Sequence, residues 1–344
     1  MNNHRHVSSP FVHQNGEVRL VIQIPCFNEA ETLPTTLGDL PRTVNGFDEV
    51  LWLVVDDGSS DETAAVAQAH GVDVVVKLSN NKGLAVAFQA GLDASLQLGA
   101  DVIVNTDADN QYSAADIPRL VEPICKGHAD LVVGTRDIAN HQEFSPLKKW
   151  LQRVGSWVVR QASATHVSDV TSGFRAYSKD AALQVNVVSQ FTYTLETLIQ
   201  AGRSDLIVAD VPIGVNPTTR PSRLFRSKRQ YVRRSAGTIS RVYAMHKPLR
   251  FFNIPAAIFA AAGLILFGRF GWYYLTAGGE GHIQSLIVGA VCLLVAVQML
   301  MLGLLADLLR SNRVITERVL RRVRNIELTI GNYSNTDEES DPEA

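Results

Sequence analysis

The sequence predicts an α/β domain built on a mostly parallel sheet, followed by a pair of membrane-crossing helices. Three observations lead there. Short Val- and Ile-rich runs alternate with segments whose apolar residues recur at helical spacing. Polar clusters rich in Asp, Asn and Gly follow the strand-like runs. Two long hydrophobic runs, Phe251–Thr276 and Ser285–Leu309, come late in the chain, each long enough for a bilayer core that needs about 20 apolar residues.

Five runs read as buried strands: Val18–Ile24, Val50–Val55, Val72–Lys77, Val102–Thr106 and Leu131–Gly134. Between them Ala30–Leu40, Glu62–His70, Leu84–Leu98 and Asp116–Lys126 carry the apolar spacing of helices. Asp61 is placed to cap the second helix. Strictly alternating strands and helices argue for a mostly parallel sheet with helices on both faces. Ligands in such sheets sit beyond the carboxyl ends of the strands. Four polar clusters fall there: Pro25–Glu29, Asp56–Asp61, Asp107–Gln111 and Thr135–Asp137.

The charges around the hydrophobic runs give an orientation. Thr219–Arg250 holds ten Lys or Arg and no Asp or Glu, and Arg310–Arg324 holds six Arg against Glu317 alone. The intervening loop Ala277–Gln284 carries Glu280 and no Lys or Arg. The positive-inside rule then puts both termini in the cytoplasm and this loop outside. Arg269 can snorkel to the outer interface beside Trp272, Tyr273 and Tyr274. Within Arg223–Met245, Phe225, Val232, Ile239, Val242 and Tyr243 are spaced for an amphipathic helix on an anionic membrane.

Composition bounds the remainder. The chain has 344 residues and a net charge of −2. Cys26, Cys125 and Cys292 are scattered, with no zinc or disulfide spacing, which fits a reducing compartment. The expected organisation is a loose tail (1–17), a catalytic domain (18–222), a basic interfacial segment (223–250), the hairpin (251–309), and a basic segment with an acidic, disordered tail from Ser334 (310–344). The expected location is the cytoplasmic (inner) membrane, with the large domain on the cytoplasmic side. Homo-oligomerisation is left open, and no nucleic-acid partner is expected.

Asp107-Ala108-Asp109 with Gln111 ends the fourth strand. Two carboxylates two residues apart can share a hard divalent cation and the diphosphate it bridges. Asp56-Asp57-Gly58-Ser59-Ser60-Asp61 ends the second strand, and its carboxylates can accept hydrogen bonds from a ribose or a base edge. Pro25-Cys26-Phe27-Asn28-Glu29 can hold the base. Neither a Gly-x-Gly-x-x-Gly nor a Gly-Lys-Ser/Thr loop is present, so dinucleotide and P-loop readings lack their fingerprints.

These motifs, with Asn81-Lys82-Gly83, Gly134-Thr135-Arg136 and Ser172-Gly173-Phe174-Arg175, follow one another in an order that resembles the family 2 glycosyltransferases of GT-A fold. Within them it looks most like the dolichol-phosphate mannose synthase group, which includes bacterial polyprenyl-phosphate glycosyltransferases. The likeness covers roughly residues 18–225, and a two-span tail occurs in part of that group. It implies that Pro25, Phe27, Glu29, Asp57, Lys82, Asp107, Ala108 and Arg223 bind the nucleotide sugar. It implies that Asp107, Asp109 and Gln111 hold Mg²⁺ or Mn²⁺. Arg136 and Arg175 would bind phosphate, and Glu196, on the helical stretch Tyr193–Ala201, would orient the acceptor. Phe27 stands where the family often has Tyr. Ser222-Arg223-Leu224 replaces a Ser-Lys-Leu, and Asn216–Arg220 departs from the mannose synthase pattern, which leaves the donor sugar open. The Gln-x-x-Arg-Trp signature of processive synthases is absent.

The reading is therefore an enzyme that moves one sugar from a nucleotide diphosphate onto a polyprenyl phosphate, with inversion, for cell-envelope glycan assembly. Its competitors are transfer to another lipid, such as a diacylglycerol or ceramide, and a non-catalytic membrane-anchored nucleotide-sugar-binding scaffold.

Overall fold

The computed structural model describes residues 17–136, 167–187, 193–202, 204, 206–216, 240, 243–244, 247–277 and 283–339. The chain divides into two compact units. The first takes in Met1–Arg226 and Arg318–Ala344, the second Ser227–Glu317.

In the first unit the strands are β1 (Arg19–Cys26), β2 (Glu49–Asp56), β3 (Val74–Lys77), β4 (Val102–Asn105), β5 (Leu131–Thr135), β6 (Arg175–Ser178) and β7 (Val208–Pro212). They form one sheet in the order β3-β2-β1-β4-β6-β5-β7. The helices are α1 (Leu33–Asp39), α2 (Thr63–Ala69), α3 (Leu84–Gln97), α4 (Ile117–Cys125), α5 (Lys179–Gln184) and α6 (Tyr193–Ala201). The five expected strands and four expected helices are all present.

β1 pairs in parallel with β2 on one side and β4 on the other. The chain therefore reverses its direction of travel across the sheet at β1/β4, which opens a crevice beyond their carboxyl ends. The core that fixes this edge is aliphatic: Leu20, Ile22, Ile24, Val54, Val102 and Val104 are buried in one cluster. Each such side chain stabilises by about 1.5–3 kcal/mol relative to exposure.

β6 was not expected. It runs antiparallel between β4 and β5. Its four residues, Arg-Ala-Tyr-Ser, carry little of the Val/Ile pattern that marks the other strands. Asp61 does more than the expected capping. The residue flanking α2 is Glu62, and Asp61 accepts the Thr63 N–H (3.1 Å) and the Ala30 N–H (3.2 Å), tying the β1 and β2 loops together.

In the second unit, α7 runs over Pro248–Ala277 and starts before the predicted first span. The next helix, α8, is a single one from Ile283 to Glu339. Pro248–Thr276 and Ile283–Asn312 are long and apolar enough to cross a membrane. The two helices meet backbone to backbone: a Cβ on Gly263 would stand 3.0 Å from the Gly289 carbonyl oxygen. Small residues at such a crossing are how apolar helices pack without a hydrophobic drive between them.

α8 continues past Leu309 because neither Gly nor Pro interrupts the sequence between Gly303 and Gly331. It covers Ser334–Glu339 too, within the stretch expected to be disordered. Beyond Arg318 it belongs to the first unit, where Arg324 donates to the Val185 carbonyl (3.0 Å) and pairs with Asp93 (3.2 Å). Most of the expected interfacial segment, and Arg223 with it, lies outside the described residues.

Candidate active site

The site forms where the loops after β1, β2 and β4 converge. The β1 loop leaves a buried Pro25 and turns through Asn28, whose φ is +56°. Phe27 stays 41% exposed at this edge, which is costly for a phenyl ring unless something stacks on it. Asn28 holds the turn: its N–H donates to Ser59 Oγ (2.9 Å) and its side-chain oxygen accepts the Ser60 N–H (2.8 Å). The Glu29 N–H donates to Thr63 Oγ1 (2.9 Å), while its carboxylate accepts from Thr32 (2.7 Å).

Asp57 is 3% exposed, and both its oxygens are engaged. One accepts the Lys82 N–H and the other the Gly83 N–H, each at 2.8 Å. It anchors the loop that carries the exposed Lys82, so its observed role is support rather than an outstretched ligand. Gly58 makes this possible. Its φ is +68°, and a Cβ there would stand 2.5 Å from the Asn80 backbone.

At the end of β4 the chain presents Asp107, buried Ala108 and half-buried Asp109. The Ala108 carbonyl accepts from Thr36 (2.9 Å), and Asp109 accepts the Gln111 N–H (3.2 Å), so the turn is fixed from both sides. Burial pushes the Asp107 carboxyl up to about 7, assisted by the Asp109 charge, opposed by Arg136, and assisted again by Glu29. Crowded acidic charge of this kind favours a cation. Among the described residues no group of three or more His, Cys, Asp or Glu is placed to hold a metal ion by itself. A carboxylate pair two residues apart, Asp107 and Asp109, is a hard-oxygen donor set of the kind suited to Mg²⁺ or Mn²⁺. The Cys26 thiol nearby is held neutral, its pKa raised by burial and the surrounding carboxylates.

A second layer, not foreseen from the sequence, holds the Gly173 segment close to Asp107. Asn105, buried at the end of β4, donates to the Gly173 carbonyl (2.8 Å) and the Tyr193 hydroxyl (3.0 Å). The Gly173 N–H donates to the Tyr112 hydroxyl (3.0 Å). A Cβ on Gly173 would stand 3.1 Å from an Asp107 oxygen, so only glycine lets this loop approach. Tyr193 stacks on Phe88 with ring centroids 4.0 Å apart. The available signal was a polar Asn closing an otherwise apolar strand, Val102–Asn105.

The remaining candidates separate. Arg136 reaches the site and lies over Tyr112, 6.0 Å from its ring centroid. Fully buried Asp169 holds its guanidinium at 2.7 Å and Thr171 at 3.1 Å. Arg175 does not reach it. Its side chain is wholly buried and donates to the carbonyls of Ser172 (2.8 Å), Thr194 (2.8 Å) and Val170 (3.0 Å) and to Thr197 (2.6 Å). This corrects the phosphate-binding expectation: β6 turns the side chain inward, where it braces the 170–175 segment against α6. Glu196 is 8% exposed rather than a helix-surface residue, 3.5 Å from Gln200.

Residues 21–185 match the sequence pattern of glycosyl transferase family 2. An undecaprenyl-phosphate mannosyltransferase of Micrococcus luteus is 31% identical over 206 residues, covering 57% of this chain and 83% of that protein. The chain belongs to glycosyl transferase family 2. This glycosyltransferase is also 30% identical to a UDP-N-acetylglucosamine–dolichyl-phosphate N-acetylglucosaminyltransferase of Methanococcus voltae, over 55% of this chain and 82% of the relative. Among solved structures it is similar to glucosyl-3-phosphoglycerate synthase of Mycobacterium tuberculosis, crystallised with Mn²⁺, UDP and phosphoglyceric acid. The TM-score is 0.51 at 20% identity, over 66% of this chain and 77% of that one. That likeness gives the glycosyltransferase its fold class, GT-A.

Proposed function

We propose that this glycosyltransferase moves one sugar from a nucleotide diphosphate onto a polyprenyl phosphate at the cytoplasmic face of a membrane, with inversion. The observation that carries the reading is the acidic pair at the β1/β4 crevice, where Asp107 is crowded by Asp109 and Glu29. Phe27, Glu29 and Lys82 would receive the nucleotide, with Asp57 fixing the Lys82 loop. A divalent cation held by Asp107, Asp109 and Gln111 would neutralise the leaving diphosphate. The relatives named for undecaprenyl and dolichyl phosphate support the acceptor class, and the two apolar helices support a membrane location. Those relatives are named for different sugars, so the donor sugar stays open.

A phosphate monoester has a second pKa near 6 and is largely dianionic at neutral pH. It needs little help from a base; it needs its charge held. Arg136, pinned by Asp169, supplies one guanidinium, and Arg223 would supply another.

The test is a lipid panel. Purified enzyme with Mn²⁺ and a set of UDP- and GDP-sugars is offered polyprenyl phosphate, diacylglycerol or ceramide, and the products are weighed by mass spectrometry. Only the polyprenyl phosphate should be glycosylated, and Asp109→Asn should lower turnover by about 10²–10³-fold. Sugar on diacylglycerol or ceramide instead, or full activity of Asp109→Asn in EDTA, would reject the reading.

A further inference from the structure

We propose that α8 is the contact between two copies of this chain, joined in parallel and in register along one seam. The proposal rests on the membrane reading of α7 and α8. Gln298, Met301, Leu305, Leu308, Asn312, Ile315 and Val319 follow one another at alternating steps of three and four. That is the a/d spacing of a helix that meets a like helix along a narrow stripe. All seven are exposed, with Met301 at 68%, Leu308 at 57% and Ile315 at 59%. Gly289 and Gly303, which pack against α7 at Phe267 and Phe252, lie on another face of α8.

The polarity of this seam is wrong for a lone helix on both sides of the membrane boundary. Gln298 lies near the middle of Ile283–Asn312, exposed where lipid would be, and has no hydrogen-bond partner among the described residues. An unpaired amide in hydrocarbon is costly. Past Asn312 the polarity reverses: Ile315 and Val319 stay exposed although lipid no longer covers them, and so do Val323 and Ile326. Within the second unit α8 runs on unbroken to Glu317, so the turn that carries Ile315 continues the span.

One occupant cures both faults. A second α8 in the same membrane has the same orientation, so the contact is parallel and Gln298 meets Gln298. The paired amides satisfy each other inside the bilayer, as polar side chains do between membrane helices. Ile315 and Val319 cover their own copies outside it. Asn312 falls on the same seam position as Gln298, two heptads on, and a polar residue there fixes register. Two-dimensional confinement raises the effective concentration of so narrow a contact.

Cysteine crosslinking in native membranes tests this. In a variant with Cys125→Ser and Cys292→Ser, single cysteines replace Met301, Leu305, Leu308 or Ile315, with Leu300 as an exposed off-seam control. Oxidation should give disulfide dimers at the four seam positions and not at Leu300. Gln298→Leu should lower the dimer yield at Leu305 by about five-fold, and Gln298→Asn should retain it. Carbonate extraction is run alongside. Protein that stays in the membrane but crosslinks equally everywhere, or nowhere, overturns the contact alone. Protein released into the soluble fraction overturns the membrane reading and the contact with it.

Discussion

At the scale of single residues, the decisive feature is an acid held where its charge is unwelcome. Asp107 has a folded pKa of about 7 against an ordinary 3.8. The folded protein therefore binds its proton more tightly than the unfolded chain does. In the absence of metal, this group's contribution to stability falls as pH rises from about 4 to about 7. A cation held there, as the proposed function has it, would bind the ionised form and compete with that proton. Mn²⁺ should therefore raise the melting temperature more at pH 8 than at pH 6, which differential scanning fluorimetry reads directly; an equal rise at both would separate Asp107 from the cation. Arg175 makes the opposite point. Arg175→Ala leaves the carbonyls of Ser172, Thr194 and Val170 without their donor, and unpaired buried groups cost about 1–3 kcal/mol each. It should lower stability and all activity together, rather than acceptor use alone, by equilibrium unfolding and steady-state kinetics. The acidic pair was legible in the sequence because its chemistry is local: two carboxylates after an apolar strand. The burial of Arg175 was not, because a Gly-Phe-Arg motif reads the same whether the strand turns its arginine in or out.

At the scale of elements, strands β1 to β5 and helices α1 to α4 were legible within a few residues, since each carries its own apolar period and ends in its own turn chemistry. β6 was not legible: an antiparallel strand flanked by β4 and β5 takes its stability from its neighbours, and Arg-Ala-Tyr-Ser announces little. The continuation of α8 past its span was missed because a switch from apolar to charged residues marks a change of solvent, not the end of a helix. The β2 turn offers a sharp test. Gly58→Ala meets both an unfavourable φ of +68° and a backbone 2.5 Å away at Asn80. It should cost about 1–3 kcal/mol and loosen the Lys82 loop that Asp57 holds. Nucleotide titration should then show weaker donor binding, with the acceptor KM little changed. Unaltered donor affinity would detach that loop from the site.

At the scale of the whole molecule, one chain carries a sugar-transfer domain and two apolar helices, and within the first unit Arg324 meets Asp93 and Val185. An acceptor that is itself a lipid gives that union a chemical reason. The central claim is a single displacement by a lipid phosphate on the anomeric carbon, with the nucleoside diphosphate leaving. In the proposed function the acidic pair at Asp107 and Asp109 would hold the cation, and no other carboxylate is needed as a covalent nucleophile. The most direct test is NMR of the anomeric linkage in the lipid product made from an α-linked donor, together with identification of the released nucleotide. A β-linked polyprenyl monophosphate sugar with free nucleoside diphosphate is the predicted result. An α-linked product, or a lipid diphosphate sugar with nucleoside monophosphate, would contradict it.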